Sequence, residues 1–177
     1  DKRHSANGST AASTALLQYE IDKPLHKLME IVGENTAVRS YQLCLKAIQD
    51  LDKISKKLSI NPNFKLKHSF QFASAKSHIP SLKLEYQARK KHNISTVSWL
   101  EEKEIKQKYG FKKDAGLLSK DGAEVDPYRL THALLARHSG KNLQVFDNTK
   151  VVEIIHHRNS VEIKTNTNHT VKAKKLV

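Results

Sequence analysis

Ten histidines, one cysteine and a run of small residues, Ser-Ala-Asn-Gly-Ser-Thr-Ala-Ala-Ser-Thr-Ala, are what the 177-residue chain offers for chemistry. Most of it leads nowhere. His68, His78, His92, His132, His138, His156, His157 and His169 lack the His-Glu-x-x-His spacing of a zinc helix and have no cysteine partners. His156 and His157 are adjacent in a β-branched segment, where neighbours point to opposite faces, so no metal site is expected. There is no Gly-x-Ser-x-Gly elbow. Cys44 falls on the apolar stripe of a helix, as packing rather than as a nucleophile. Glu101, Glu102 and Glu104 read as a solvated helix face, not an acid/base pair. The small-residue run is different. Gly8, Ser9, Thr10 and Ser13 present backbone N–H groups and hydroxyls without bulk, and on entering Ala-Leu-Leu they could cradle a phosphate at a helix N-terminus. A Ser/Ala linker has the same composition, and on composition alone it is the commoner reading.

The elements that must position this run are legible from periodicity and stop signals. Asp22 is a candidate N-cap for a helix through Val32, with Pro24 in its first turn and Gly33 as its stop. From Asn35, the residues Ala37, Tyr41, Cys44, Ile48, Leu51, Ile54 and Leu58 recur at steps of three and four, the strongest helical signal in the chain. Asn-Pro-Asn at 61–63 ends it. Residues 64–75 alternate as a strand, and residues 79–93 read as a helix. Ile94–Ser98 is strand-like, and Ser98 with Glu101 forms the capping box of a helix stopped by Gly110. Ala115–Ser119 is a short strand closed by the turn Lys-Asp-Gly-Ala. Asp126 as N-cap and Pro127 at the first helical position open a helix with Leu130, Leu134 and Leu135 on its buried stripe, ended by Gly140. Four short strands follow, over 142–148, 150–157, 160–166 and 169–177.

Composition bounds the rest. A chain of this length can bury a real core. A net charge of +13 invites a nucleic-acid reading, but the lysines are spread through every segment and the six arginines do not cluster. An evenly lysine-rich surface is the better account, so no specific nucleic-acid partner is expected. A stand-alone interaction module is the other competitor, and its mark is a contiguous exposed apolar patch. One cysteine precludes an intrachain disulfide and, with no 18-residue apolar run, points to a reducing, cytoplasmic setting with no membrane span.

An acidic residue, a basic pair and then Gly-Ser-Thr-Ala-Ala-Ser-Thr-Ala-Leu-Leu resembles the region after the second Rossmann strand of FAD-dependent oxidoreductases of the D-amino-acid oxidase and glycine oxidase type. "GAEVDPYRL", then "NTKVVEI", then "VKAKKLV" resembles a later segment of the same family, and from Asp22 to Leu118 the likeness lies mostly in layout. The resemblance implies an α+β fold: part of an α/β FAD-binding domain with part of a mixed-sheet substrate domain. The implied division is 1–20 and 126–177 for FAD binding, 21–60 for a helical pair and 61–125 for substrate. It implies Asp1 as the ribose carboxylate, Gly8, Ser9 and Thr10 near the pyrophosphate, Ala12 and Ser13 nearer the flavin, and Val151 meeting adenine through its main chain. It implies oxidation of a small amine or amino acid, or a related 2-hydroxy acid, by hydride transfer to FAD. The family's Gly-x-Gly-x-x-Gly lies upstream of the acidic residue and its substrate-gripping strands lie downstream of the closing segment. Both ends therefore read as internal to a longer flavoenzyme, and the piece alone is expected neither to catalyse nor to hold FAD tightly.

Overall fold

The computed structural model describes residues 1–140 and 143–177. They divide into two compact units, one of Asp1–Ser13, Leu58–Ile60 and Pro127–Val177, the other of Thr14–Lys57 and Asn61–Asp126.

The second unit is built around strand β4 (Ala115–Glu124). Along one edge β4 pairs antiparallel with β2 (Lys65–Phe72), from Gly116 opposite Phe72 to Glu124 opposite Lys65. Its other edge is shared between β1 (Leu16–Leu17) at one end and β3 (Val97–Glu101) at the other. Helices cover both faces, so β4 is buried without alternation over Ala115–Ser119. Leu117 packs with Leu82 of α3 (Ile79–Lys91), while Leu118 packs with Ile105 of α4 (Glu102–Tyr109). The helical pair α1 (Leu25–Val32) and α2 (Glu34–Ser55) forms the third side, with Leu25, Ala37, Tyr41 and Ile48 in one core. Gly33, at φ +83°, both ends α1 and begins α2, a backbone state that a β-carbon disfavours. Cys44 is half-buried against that core, as its position on the stripe predicts.

Several boundaries differ from expectation. The segment Lys-Asp-Gly-Ala is no turn, because β4 has partners on both edges and runs straight through it. The turn-forming residues are absorbed as a bulge, with three steps on β4 from Ser119 to Gly122 facing two on β2 from Ser69 to Lys67. Gly122 lets the strands approach closely there: a β-carbon would sit 3.2 Å from the Lys67 carbonyl oxygen, a tight contact. The strand expected at Ile94 begins only at Val97, and it claims Ser98. The capping box therefore forms three residues later, between Glu101 and Glu104. Asp22 is not the cap of α1; Pro24 holds that position with no side-chain cap bond. Leu16 and Leu17 enter no helix but pair with Ala123 and Glu124.

In the first unit, α5 (Pro127–His138) starts at the Asp-Pro step as expected and is followed by Gly140 at φ +78°. A three-stranded meander follows, β5 (Val151–His157), β6 (Ser160–Thr165) and β7 (Thr170–Ala173), antiparallel in chain order. The strand expected over 142–148 is not formed by its described residues. Leu143 makes only an isolated parallel bridge to Ser139, and Asn142 lies outside the described residues. Val161 and Ala133 are buried, whereas Phe146, Val152, Ile154 and Val171 stay exposed.

Candidate functional site

All seven residues singled out as nucleotide contacts lie in the first unit. The chain start is tied down by backbone pairing. The amino group of Asp1 donates to the Phe146 carbonyl at 2.7 Å, and its own carbonyl accepts from the Thr149 N–H at 2.7 Å. Arg3 accepts from the Asn148 N–H at 3.3 Å. Asp147 is the side-chain anchor. Its Oδ1 accepts from the Ser5 hydroxyl at 2.6 Å and the Ser5 N–H at 3.2 Å, and its Oδ2 lies 3.3 Å from His4 Nδ1. Asp1 uses Oδ1 to accept the Arg3 N–H at 3.0 Å.

Past this anchor the small residues curl through successive i to i+3 bonds, Ala11 to Gly8, Ala12 to Ser9 and Ser13 to Thr10. Ser9, Ala12 and Ser13 are exposed, and Gly8 and Thr10 half-buried. This is bare, turned backbone at the surface of its unit, not an α-helix N-terminus. Val151 opens β5 and is exposed, with Thr165 opposite. Between Val151 and Glu153 the register slips, since these two face Thr165 and Lys164, which are adjacent. Val152 is therefore an extra residue, and a bulge of this kind takes main-chain groups out of the ladder. Small side chains on exposed backbone, a carboxylate and a bulged strand start all lie on this one unit.

Asp147 was not anticipated. The hydrogen bonds of Ser5 and His4 hold its carboxyl below the usual aspartate range. A group so depressed contributes stability above its unfolded value, near 3.9, and loses it as pH falls through the folded value. We expect the amides of Ser5, Asn148 and Thr149 to exchange faster in Asp147→Ala than in the wild type, and the wild type to approach the variant in acid. Hydrogen exchange by NMR checks this. Equal exchange in the two proteins at neutral pH would show that Asp147 anchors nothing.

The second unit holds a buried polar network that the sequence also concealed. Arg89, 2% exposed, donates from Nε to Glu85 Oε1 at 2.6 Å, and from Nη1 to the Tyr19 hydroxyl at 2.9 Å and Glu20 Oε1 at 3.2 Å. Its guanidinium carbon lies 5.4 Å from the Tyr19 ring centroid and 5.8 Å from that of Tyr41. Glu85 Oε2 accepts the His26 N–H at 3.1 Å. Burial alone would raise the Glu85 carboxyl, but the Arg89 charge and the hydrogen bonds from His26, Leu25 and Arg89 hold it below the usual range. Burial raises the Tyr19 and Tyr41 hydroxyls, so both stay protonated donors. On sequence, Glu85 and Arg89 at i, i+4 look like a surface pair; only the packing of α3 against α1 and the segment after β1 puts them inside.

Among the described residues no group of three or more metal-ligating side chains comes together, and no helix is long and apolar enough to cross a membrane.

Comparison with known proteins joins these observations. The family model described as FAD dependent oxidoreductase (DAO) matches residues 1–177. Among solved structures, glycine oxidase from Geobacillus kaustophilus superposes with a TM-score of 0.76 at 15% identity, over 98% of this chain and 45% of that one. L-proline dehydrogenase from P. horikoshii gives 0.74 at 14% identity, over 98% of this chain and 43% of that one. L-alpha-glycerophosphate oxidase from Mycoplasma pneumoniae, solved with FAD bound, gives 0.71 at 18%, over 94% and 42%. The chain thus spans less than half the length of the structures it resembles. No curated protein matches it by sequence.

Proposed function

Because this chain belongs to the family of FAD-dependent oxidoreductases, we propose that it serves an enzyme that oxidises a small amine or amino acid, with the first unit supplying part of the FAD surface. FAD, when bound, accepts the hydride removed from the substrate carbon. The chain's own residues position and bind. Asp1 offers a carboxylate to the adenosine ribose. Gly8, Ser9 and Thr10 bring main chain and hydroxyls to the pyrophosphate, and Ala12 and Ser13 leave room beside the flavin. Val151, at the bulged start of β5, offers its main chain to adenine. Residues 21–60 and 61–125 form the helical pair and a share of the substrate-binding region.

The observation carrying this reading is the exposed small-residue backbone, held in place by Asp147 on the unit that also carries Val151. The amine or amino-acid preference follows the named activities of most of the neighbours, glycine oxidase, proline dehydrogenase and L-amino acid deaminase among them. A glycerol phosphate or 2-hydroxy acid is the competing substrate class, motivated by the glycerophosphate oxidase. Anaerobic mixing of the flavin-loaded full-length enzyme with glycine, L-proline, a panel of other amino acids and glycerol 3-phosphate separates them. Loss of the visible flavin band is expected with an amine or amino acid. Bleaching by glycerol 3-phosphate alone would refute the preference. The 177-residue chain by itself is expected to leave gel filtration colourless after incubation with FAD, because a partial site bears the full ordering cost for only some contacts. A yellow preparation with stoichiometric flavin would contradict that.

A further inference from the structure

Three side chains of the second unit stand in an order that oxidoreductase chemistry does not need. The Ser81 hydroxyl lies 3.3 Å from His26 Nε2, and His26 Nδ1 lies 2.9 Å from Glu85 Oε2. Ser81 sits in the first turn of α3, one turn before Glu85, and His26 sits in the first turn of α1. Glu85 is 1% exposed and carries its charge, since Arg89 compensates it. A carboxylate can only accept, so His26 Nδ1 carries the proton and donates it to Glu85. That tautomer leaves Nε2 as an acceptor facing the Ser81 hydroxyl. The His26 ring is fixed further by its own backbone N–H, bonded to the same carboxylate oxygen at 3.1 Å.

All three residues line one cavity of about 460 Å³, a size suited to a small ligand. Its wall is mixed. Phe72 and Leu82 offer an apolar side and Lys27 a positive charge, and Ser74 and Ser77 are further serines of the lining. A hydroxyl, an imidazole accepting from it and a buried carboxylate orienting that imidazole are the parts of an activated serine nucleophile, recognised by geometry and role on any fold.

We propose that Ser81, His26 and Glu85 form a nucleophilic serine site that takes acyl groups from small activated esters. Ser81 Oγ attacks the acyl carbon and the Oγ–C bond forms. The hydroxyl proton passes to His26 Nε2, the bond from the acyl carbon to the leaving oxygen breaks, and that oxygen takes the proton from Nε2. Water then attacks the acyl-serine by the same route, His26 accepting its proton and returning it to Ser81 as the acid leaves. Glu85 is a positioning residue: it touches no reacting atom and holds the imidazole tautomer. Lys27, on the same wall, adds positive charge to the cavity in which the negative oxygen develops. This site is independent of the flavin reading and stands or falls without it.

The test uses the 177-residue chain and a fluorophosphonate probe, whose phosphorus bonds to a serine oxygen with loss of fluoride and of the hydroxyl proton. One adduct per chain is expected, located at Ser81 by peptide mass spectrometry. Ser81→Ala should abolish it, and Ser77→Ala should label like the wild type. His26→Ala should slow labelling by about a hundredfold or more, the usual scale for losing a positioned base. His26→Gln serves the same purpose if the alanine variant loses cooperative unfolding. Hydrolysis of p-nitrophenyl acetate should fall in parallel. An unlabelled wild type overturns the proposal, as does an adduct that survives Ser81→Ala or a His26 variant that folds and labels at the wild-type rate.

Discussion

Replacing Arg89 with leucine is expected to destabilise the second unit by about 3–5 kcal/mol, the scale for removing one member of a buried ion pair. Glu85 and Glu20 would both be left facing inward, and Glu20 Oε2 already has no partner among the described residues. Tyr19 would lose its donor, and both tyrosine rings the cation beside them. Arg89→Lys should cost less, because it keeps the charge while losing the planar fork that reaches Glu85 and Tyr19 together. The double variant Glu85→Gln with Arg89→Met should recover part of the loss, since it removes the stranded charge instead of exposing it. Urea unfolding followed by circular dichroism reads all three. The same pairing sets the acid response. With the Glu85 carboxyl lowered in the folded state, its contribution is complete above the unfolded glutamate value, near 4.3, and disappears as pH falls through the folded one. An Arg89→Leu protein within about 1 kcal/mol of the wild type would show the network to be ornamental.

The second large effect concerns Gly116, where a β-carbon would stand 2.4 Å and 2.6 Å from two atoms of the Phe70 ring and 3.4 Å from Ile105 Cδ1. Phe70 cannot easily yield. Its ring stacks on Tyr109 at 4.6 Å between centroids and leans on Phe72 and Phe111. Gly116→Ala is therefore expected to cost about 1–3 kcal/mol by overpacking. Phe70→Leu in the same chain should make the alanine tolerable, so the double variant should be more stable than the sum of the single changes allows. Additive losses in urea unfolding would mean that the two sites do not meet.

What the sequence disclosed and what it hid follow from one physical division. Features held within a single element were readable. The apolar face of α2, the Asp-Pro start of α5 and the strands of the meander are each set by residues close together along the chain. Features created by partners far along the chain were not. Lys-Asp-Gly-Ala has every local mark of a turn, and only pairing on both edges of β4 makes it a bulged strand. Asp147 fell in the strand expected over 142–148, and nothing local showed that the Ser5 hydroxyl, 142 positions earlier, would bond to it. Glu85 and Arg89 carry no local sign of burial.

The candidate site divides the same way. The small residues Gly8 to Ser13 and the carboxylate of Asp1 were visible as types, and the resemblance supplied their roles. Sequence could not show that the run stays at the surface of its unit. Nor could it show that Val152 is an unpaired extra residue in β5. One expectation failed in detail. The run does not lead into a helix, so it presents turned backbone rather than the positive end of a helix dipole.

In the function proposed, a nucleotide lies against this turned backbone and the start of β5. Amide shifts of the isotope-labelled chain, followed by NMR as FAD is added to millimolar concentration, read that contact residue by residue. Progressive shifts at Gly8, Ser9, Thr10, Ala12, Ser13 and Val151, with the amides of α2 and β4 unmoved, are the predicted result. Shifts that gather on α2 and β4 while those six amides stay still would contradict it.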